Sequence, residues 1–257
     1  ALTQAAMMHV QGGLVDRDRL SKSLALVQST SPSYLLLASL DAARWQMATQ
    51  GEALMTHTLH LAEQARSQID QIPNLATLSR HHATTPGFVD FDATRLTVTV
   101  SGLGIDGFTA DDILNTQLGV TAEFPSLQHL TFIISLGNTA ADIEQLISAF
   151  EKLAKQSSQT QNLKLKTQNF SSLFPLPSSL SPRDAFFAAT ETLAIAHAIN
   201  RISAELVCPY PPGIPVLITG EMVTEPAIAY LQQILASGGI LSGCSDSSLV
   251  TLKVVKA

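Results

Sequence analysis

Gly102-Leu103-Gly104-Ile105-Asp106-Gly107 has the G-x-G-x-x-G spacing, and it stands after an alternating strand pattern and before a helical one. Glycines so placed let a pyrophosphate reach the backbone at the positive end of a helix. Two features oppose nucleotide binding here. The next strand ends at Leu136-Gly137-Asn138, where an acid for the ribose hydroxyl is expected and none stands. Asp106 in the loop and Asp111-Asp112 after it would also repel a phosphate. A tight strand-to-helix turn is the favoured reading, and a dinucleotide-binding module the lesser one. His57 and His60 share a helical face and His81-His82 follow in a polar stretch, but no third convergent ligand is placed by the spacing, so no metal site is expected. Cys208 and Cys244 stand without a Cys-x-x-Cys, which speaks against disulfide scaffolding and structural zinc. No Gly-x-Ser-x-Gly elbow is present, and Ser245 reads as part of a loop.

The elements that must carry such residues have a real core to fold around, since 46% of the 257 residues are hydrophobic and 14% charged. A formal net charge of -6 offers no basic footprint for nucleic acid or an anionic membrane. The apolar stretches, such as Ser33 to Ala43, are too short to span a bilayer. The lone cysteines fit a reducing cytoplasm. Periodicity predicts a helix over Asp16 to Gln28, then one long helix over Ser33 to Ile69 with Ser31 as N-cap, Pro32 in the first turn and a break near Gly51. Beyond Pro73 the texture is a small α/β domain: a strand at Arg95 to Ser101, a helix from Thr109 to Gln117 with Thr109 as N-cap, a strand at Leu130 to Leu136 and a helix from Ala140 to Leu153. The Gln-, Ser-, Lys- and Pro-rich stretch from Lys155 to Ser181 reads as a linker. Past it, helices are predicted from Ser181, over Thr190 to Val207 and over Thr224 to Ala236, with strands at Ile214 to Thr219 and Leu249 to Val255.

Several of these landmarks, in their order, carry a resemblance. Leu2-Thr3-Gln4 with its small residues and hydrophobic run resembles the segment just after the cofactor lysine of bacterial Orn/Lys/Arg decarboxylases, fold-type-I enzymes that use pyridoxal 5'-phosphate. Thr30-Ser31-Pro32-Ser33-Tyr34, Asp92 to Leu96, Ser181-Pro-Arg-Asp-Ala-Phe186 and Pro209-Tyr-Pro-Pro-Gly-Ile-Pro215 followed by Gly220-Glu221 are similar to later parts of that family. The fold this implies is α/β. Residues 1–75 would be the remainder of an aminotransferase-like large domain with its connecting helix, 76–157 the small α/β domain, 158–180 a linker and 181–257 an α+β decarboxylase C-terminal domain.

The resemblance also implies chemistry. The family's Ser-x-His-Lys is absent, so the cofactor lysine is expected just upstream of Ala1, and this chain is expected to be inactive alone. Ser29, with Thr30 beside it, matches the hydroxyl that reaches the cofactor phosphate of the other subunit in a homodimer with a shared active site; Ser stands where Thr is usual. Glu123, within Val120-Thr-Ala-Glu-Phe124, matches the acid that meets the basic side chain of arginine, lysine or ornithine. The pattern departs from the family's there, with Ala122 where Val is common and Gln128-His129 for an aromatic-Asn pair. The implied activity is decarboxylation in polyamine synthesis. The alternative is a naturally short, non-catalytic homologue that partners an intact decarboxylase.

Overall fold

A computed structural model describes residues 2, 6–28, 31–80, 88, 90–157, 180–210 and 213–256. The chain divides into two compact units, Ala1–Thr58 and Leu59–Ala257. In the first, α1 (Arg17–Val27) starts where the Asp16 carboxylate accepts from the Asp18 and Arg19 N–H groups, which satisfies two of the donors that every helix start leaves open. The long α2 (Tyr34–Ile69) runs on into the second unit. Its first turn closes on the Ser33 carbonyl, so Ser31 and Pro32 precede the helix rather than cap it. Gly51 is a buried helical residue within α2, and the expected break there is not present.

The second unit begins with a four-stranded antiparallel sheet of order β1-β2-β4-β3, formed by β1 (Ala76–Thr77), β2 (Arg95–Thr99), β3 (Phe124–Pro125) and β4 (His129–Ile133). β2 alternates as its sequence does, with Leu96 and Val98 fully buried between more exposed neighbours. Two helices, α3 (Gly107–Leu118) and α4 (Ala140–Ser157), complete this part. Its core joins the end of α2 (Leu61, Ala65, Ile69) to Leu96, Leu114, Leu130, Ile143 and Leu153, and Phe132 meets Phe150 edge-to-face at 5.6 Å. α4 opens with a reciprocal cap: the Thr139 N–H donates to Asp142 Oδ2 at 2.7 Å and the Asp142 N–H to Thr139 Oγ1 at 3.4 Å. Leu61, Ala62, Ala65, Ile69, Ile72 and Leu75 are buried in this core, so the end of α2 packs with the sheet.

The C-terminal part has its own core around Val207, Leu217, Val223, Leu231, Leu252 and Val254. α5 (Pro182–Phe187) has Ser181 as N-cap and Pro182 at its first position, as expected, and α7 (Glu225–Ala236), the helix expected over Thr224 to Ala236, has Thr224 as N-cap. The helix expected over Thr190 to Val207 is instead a strand, β5 (Thr190–Ala194), followed by the single turn α6 (Ile195–Ala198). Five residues of β5 pair antiparallel with β8 (Thr251–Val255), and Lys256 N–H donates to the Ala189 carbonyl at 2.8 Å. The terminal strand needs a partner for its ladder, and that demand overrides the helical reading over Thr190 to Ala194. β6 (Cys208–Tyr210) and β7 (Ile240–Ser242) form a second two-stranded pair. The strand expected over Ile214 to Thr219 reduces to one bridge, Val207 to Leu217.

Candidate acidic site on the small domain

Glu123 is exposed and sits immediately before β3, and among the described residues its carboxylate has no hydrogen-bond or ion-pair partner. Hydrogen bonds at four residues hold the segment that presents it. Gly119, at φ 67° in the left-handed region, ends α3, and its carbonyl accepts from Gln145 Nε2 at 3.0 Å. The Val120 N–H donates to the Leu114 carbonyl at 2.9 Å, Thr121 Oγ1 donates to Asn115 Oδ1 at 3.0 Å, and the Glu123 N–H donates to the Thr131 carbonyl at 2.8 Å. The Ala122 side chain is buried. A free carboxylate on an immobilised segment can meet a cationic group without first ordering its own backbone.

A cleft of about 230 Å³ lies against the same loop, lined in part by Thr121, Phe132, Asn138, Asp142 and Leu146. Its acceptors serve the turn itself: Asn138 Oδ1 takes the Ser135 N–H at 2.7 Å, and Asp142 Oδ2 takes the Thr139 N–H at 2.7 Å and its hydroxyl at 3.0 Å. Those bonds hold the exposed Asp142 carboxyl below the ordinary carboxylate value.

The G-x-G-x-x-G run is a turn. Ser101–Leu103 form a short 3-10 helix, Gly104 is left-handed at φ 76°, and Asp106, rather than the expected Thr109, is the N-cap of α3. Asp106 Oδ1 accepts the Thr109 N–H at 2.9 Å, so the helix end is already filled by a carboxylate. A Cβ at Gly102 would collide with the Asn74 carbonyl, and one at Gly107 with the carbonyls of Ser126 and His129. The strand before this loop, β2, pairs antiparallel with both its neighbours, β1 and β4, whereas a dinucleotide fold needs parallel neighbours. These observations replace the dinucleotide reading.

The other expected residues fall as follows. Ser29 and Thr30 lie outside the described residues, as do His81 and His82. His57 and His60 are exposed on α2, and no group of three or more metal-ligating side chains comes together among the described residues. Cys208 and Cys244 are free thiols, each pushed up by burial. Ser245 is a loop residue as read, but its N–H and hydroxyl both donate to Glu205 Oε1, while the Lys253 N–H donates to Oε2 at 2.9 Å. Glu205 is thus a buried acid that ties the 243–248 loop to β8. Nothing in its sequence neighbourhood marked it.

For a phosphate-bearing cofactor, the donor chemistry beside Ser29 is suitable. From Gln28, the extended C-cap of α1, to Tyr34 the chain carries five hydroxyl residues and no acid, so it offers donors without repulsion.

Residues 1–149 match the Orn/Lys/Arg decarboxylase major domain and residues 163–244 the Orn/Lys/Arg decarboxylase C-terminal domain. The arginine decarboxylase of Halalkalibacterium halodurans is 36% identical over 100% of this chain and 52% of its own length, and that of Bacillus subtilis is 35% identical over the same shares. The chain therefore spans about half the length of the curated relatives it matches. Among solved structures, the lysine decarboxylase of Francisella novicida superposes with a TM-score of 0.70 at 19% identity, over 95% of this chain and 46% of that one. The constitutive lysine decarboxylase of E. coli superposes at 0.64 and 17% identity, over 95% and 46%. No described helix is long and apolar enough to cross a membrane. The matches cover both the sheet-bearing part and the C-terminal part in the order the folds were built above, and the chain belongs to the Orn/Lys/Arg decarboxylase family.

Proposed function

We propose that this chain is part of a cytoplasmic pyridoxal-phosphate-dependent decarboxylase of a basic amino acid, working as a homodimer with a shared active site and feeding polyamine synthesis. Arginine is the first substrate to test, because the relatives at 34 to 36% identity are arginine decarboxylases. The observation that carries the reading is Glu123, an unpaired carboxylate on a segment held by hydrogen bonds at Gly119, Val120, Thr121 and Glu123. A guanidinium presents a planar fork of donors that two carboxylate oxygens can take together. Glu123 holds the far end of the substrate, which fixes the orientation of the end that reacts. Ser29 and Thr30 supply hydroxyl donors to the cofactor phosphate of the partner subunit. When bound, pyridoxal phosphate supplies the electron sink for the charge left by carbon dioxide loss. Residues 1–257 contain no Ser-x-His-Lys, and on this reading the lysine that holds the cofactor comes from outside them.

The test is Glu123→Gln in the assembled, cofactor-loaded enzyme. Removing the charge from a charged hydrogen bond costs roughly 1.5–3 kcal/mol, so KM for arginine should rise on the order of tenfold to a hundredfold with kcat little changed. An unchanged KM removes Glu123 from the substrate site.

A further inference from the structure

The first half of α2 is bare. Of the described residues in the unit Ala1–Thr58 only Gly51 and Thr58 are buried, while Leu2, Leu14, Leu26, Tyr34, Leu35 and Trp45 are all more than half exposed. Leu35, Ala38, Ala42 and Trp45 follow the three-four spacing of a single helical face, and with Leu2 they line an apolar groove of about 710 Å³. The same helix is covered from Leu61 on, where Leu61, Ala65 and Ile69 enter the sheet-bearing core. One continuous helix thus has a core for its last turns and none for its first, and an apolar helical face gains its stability from a packed neighbour.

Three observations say what that neighbour is. The Orn/Lys/Arg decarboxylase major-domain match runs over residues 1–149, so the bare unit is part of a domain, and a domain is built around a core. The relatives at 36% and 35% identity are matched over 52% of their own length, which leaves about as much polypeptide again outside the match. Leu2 forms a wall of the groove and its N–H donates to Ser39 Oγ at 3.1 Å, so polypeptide joined before Ala1 leaves directly over the groove. A second copy would have to dock across that exit.

We propose that the groove along Leu35, Ala38, Ala42 and Trp45 is a docking surface within one subunit: it takes an apolar face of the half of the decarboxylase that carries the cofactor lysine, rather than a second copy of this chain. This rests on the reading of the chain as part of a longer decarboxylase. The occupant is apolar because no charged side chain lines the groove, whose polar residues are Ser39, Gln46 and Gln50.

A photo-crosslink in the assembled enzyme tests it. Leu35→p-benzoylphenylalanine places a ketone that, on irradiation, inserts into a C–H bond of whatever lies against the groove. The expected product has the mass of one subunit, and its linked peptide lies outside residues 1–257. A product with the mass of two subunits means that a second copy covers the groove, and no product means that nothing does; either overturns the proposal. Leu35→Glu gives an independent readout, since Leu35 is 74% exposed in this chain. It should leave the Tm of the isolated chain unchanged at a dilution where it is monomeric and lower the Tm of the assembled enzyme, whereas an equal effect on both would overturn the proposal. Neither readout uses turnover. A single-subunit product from an enzyme that releases no carbon dioxide from arginine, lysine or ornithine keeps the docking surface and removes the substrate reading.

Discussion

His129 opens β4 with its Nδ1 at 3.4 Å from Ser126 Oγ, and burial pulls its imidazole below the ordinary value of 6.5. The folded state therefore resists the proton that the unfolded chain accepts. Above pH 6.5 both states are neutral and nothing is lost; as the pH falls below it, the unfolded chain takes up a proton first and stability declines until the folded pKa is passed. Urea unfolding should give a lower free energy at pH 5 than at pH 7.5, and His129→Gln should flatten that particular slope. Asp92, Asp142 and Asp246 have lowered pKa values through hydrogen bonds to neighbouring hydroxyl and N–H groups, so their losses belong to a separate window, below the ordinary 3.8. At this scale the resemblance made Glu123 visible, whereas Glu205 was not: only the tertiary approach of Ser245 and Lys253 gives that buried acid its role.

Elements with local signals were legible in the sequence: Ser181 caps the helix it was expected to cap, the span read from Thr224 to Ala236 is helical from Glu225, and the alternation of β2 is the alternation of its burial. What escaped was decided by partners far along the chain. β5 has helix-forming composition but pairs with β8, and β6 gained a strand partner in β7 from beyond α7. Gly51 was misread for a different reason. One glycine weakens a long helix without ending it, and the nearest atom a Cβ there would meet is Met47 Cε at 3.2 Å. A methionine tip can yield, so Gly51→Ala should stabilise the chain by up to about 1 kcal/mol, seen as a raised Tm. Gly107→Ala has no such freedom, since its Cβ would meet backbone carbonyls; a loss of roughly 1–3 kcal/mol is expected, and a Tm equal to wild type would contradict the packing described here.

In the whole molecule, apolar burial is uneven. α1 contributes no buried residue, and Leu14, Leu26, Tyr34, Leu35 and Trp45 are largely exposed, whereas the sheet-bearing and C-terminal parts each have a filled core. A contiguous apolar groove follows α2 past Leu2, Leu35, Ala42 and Trp45. Isolated, the 257-residue chain should self-associate, with a sedimentation mass that climbs with concentration, and Leu35→Glu should reduce it; a single mass at all concentrations would contradict this. The C-terminal part behaves differently, because its opening strand β5 and closing strand β8 lie side by side and Lys256 returns to Ala189. Entry and exit of that part are neighbours, which makes it a cassette: it can be grafted into a surface loop of another host, or given new ends elsewhere, without stretching either junction.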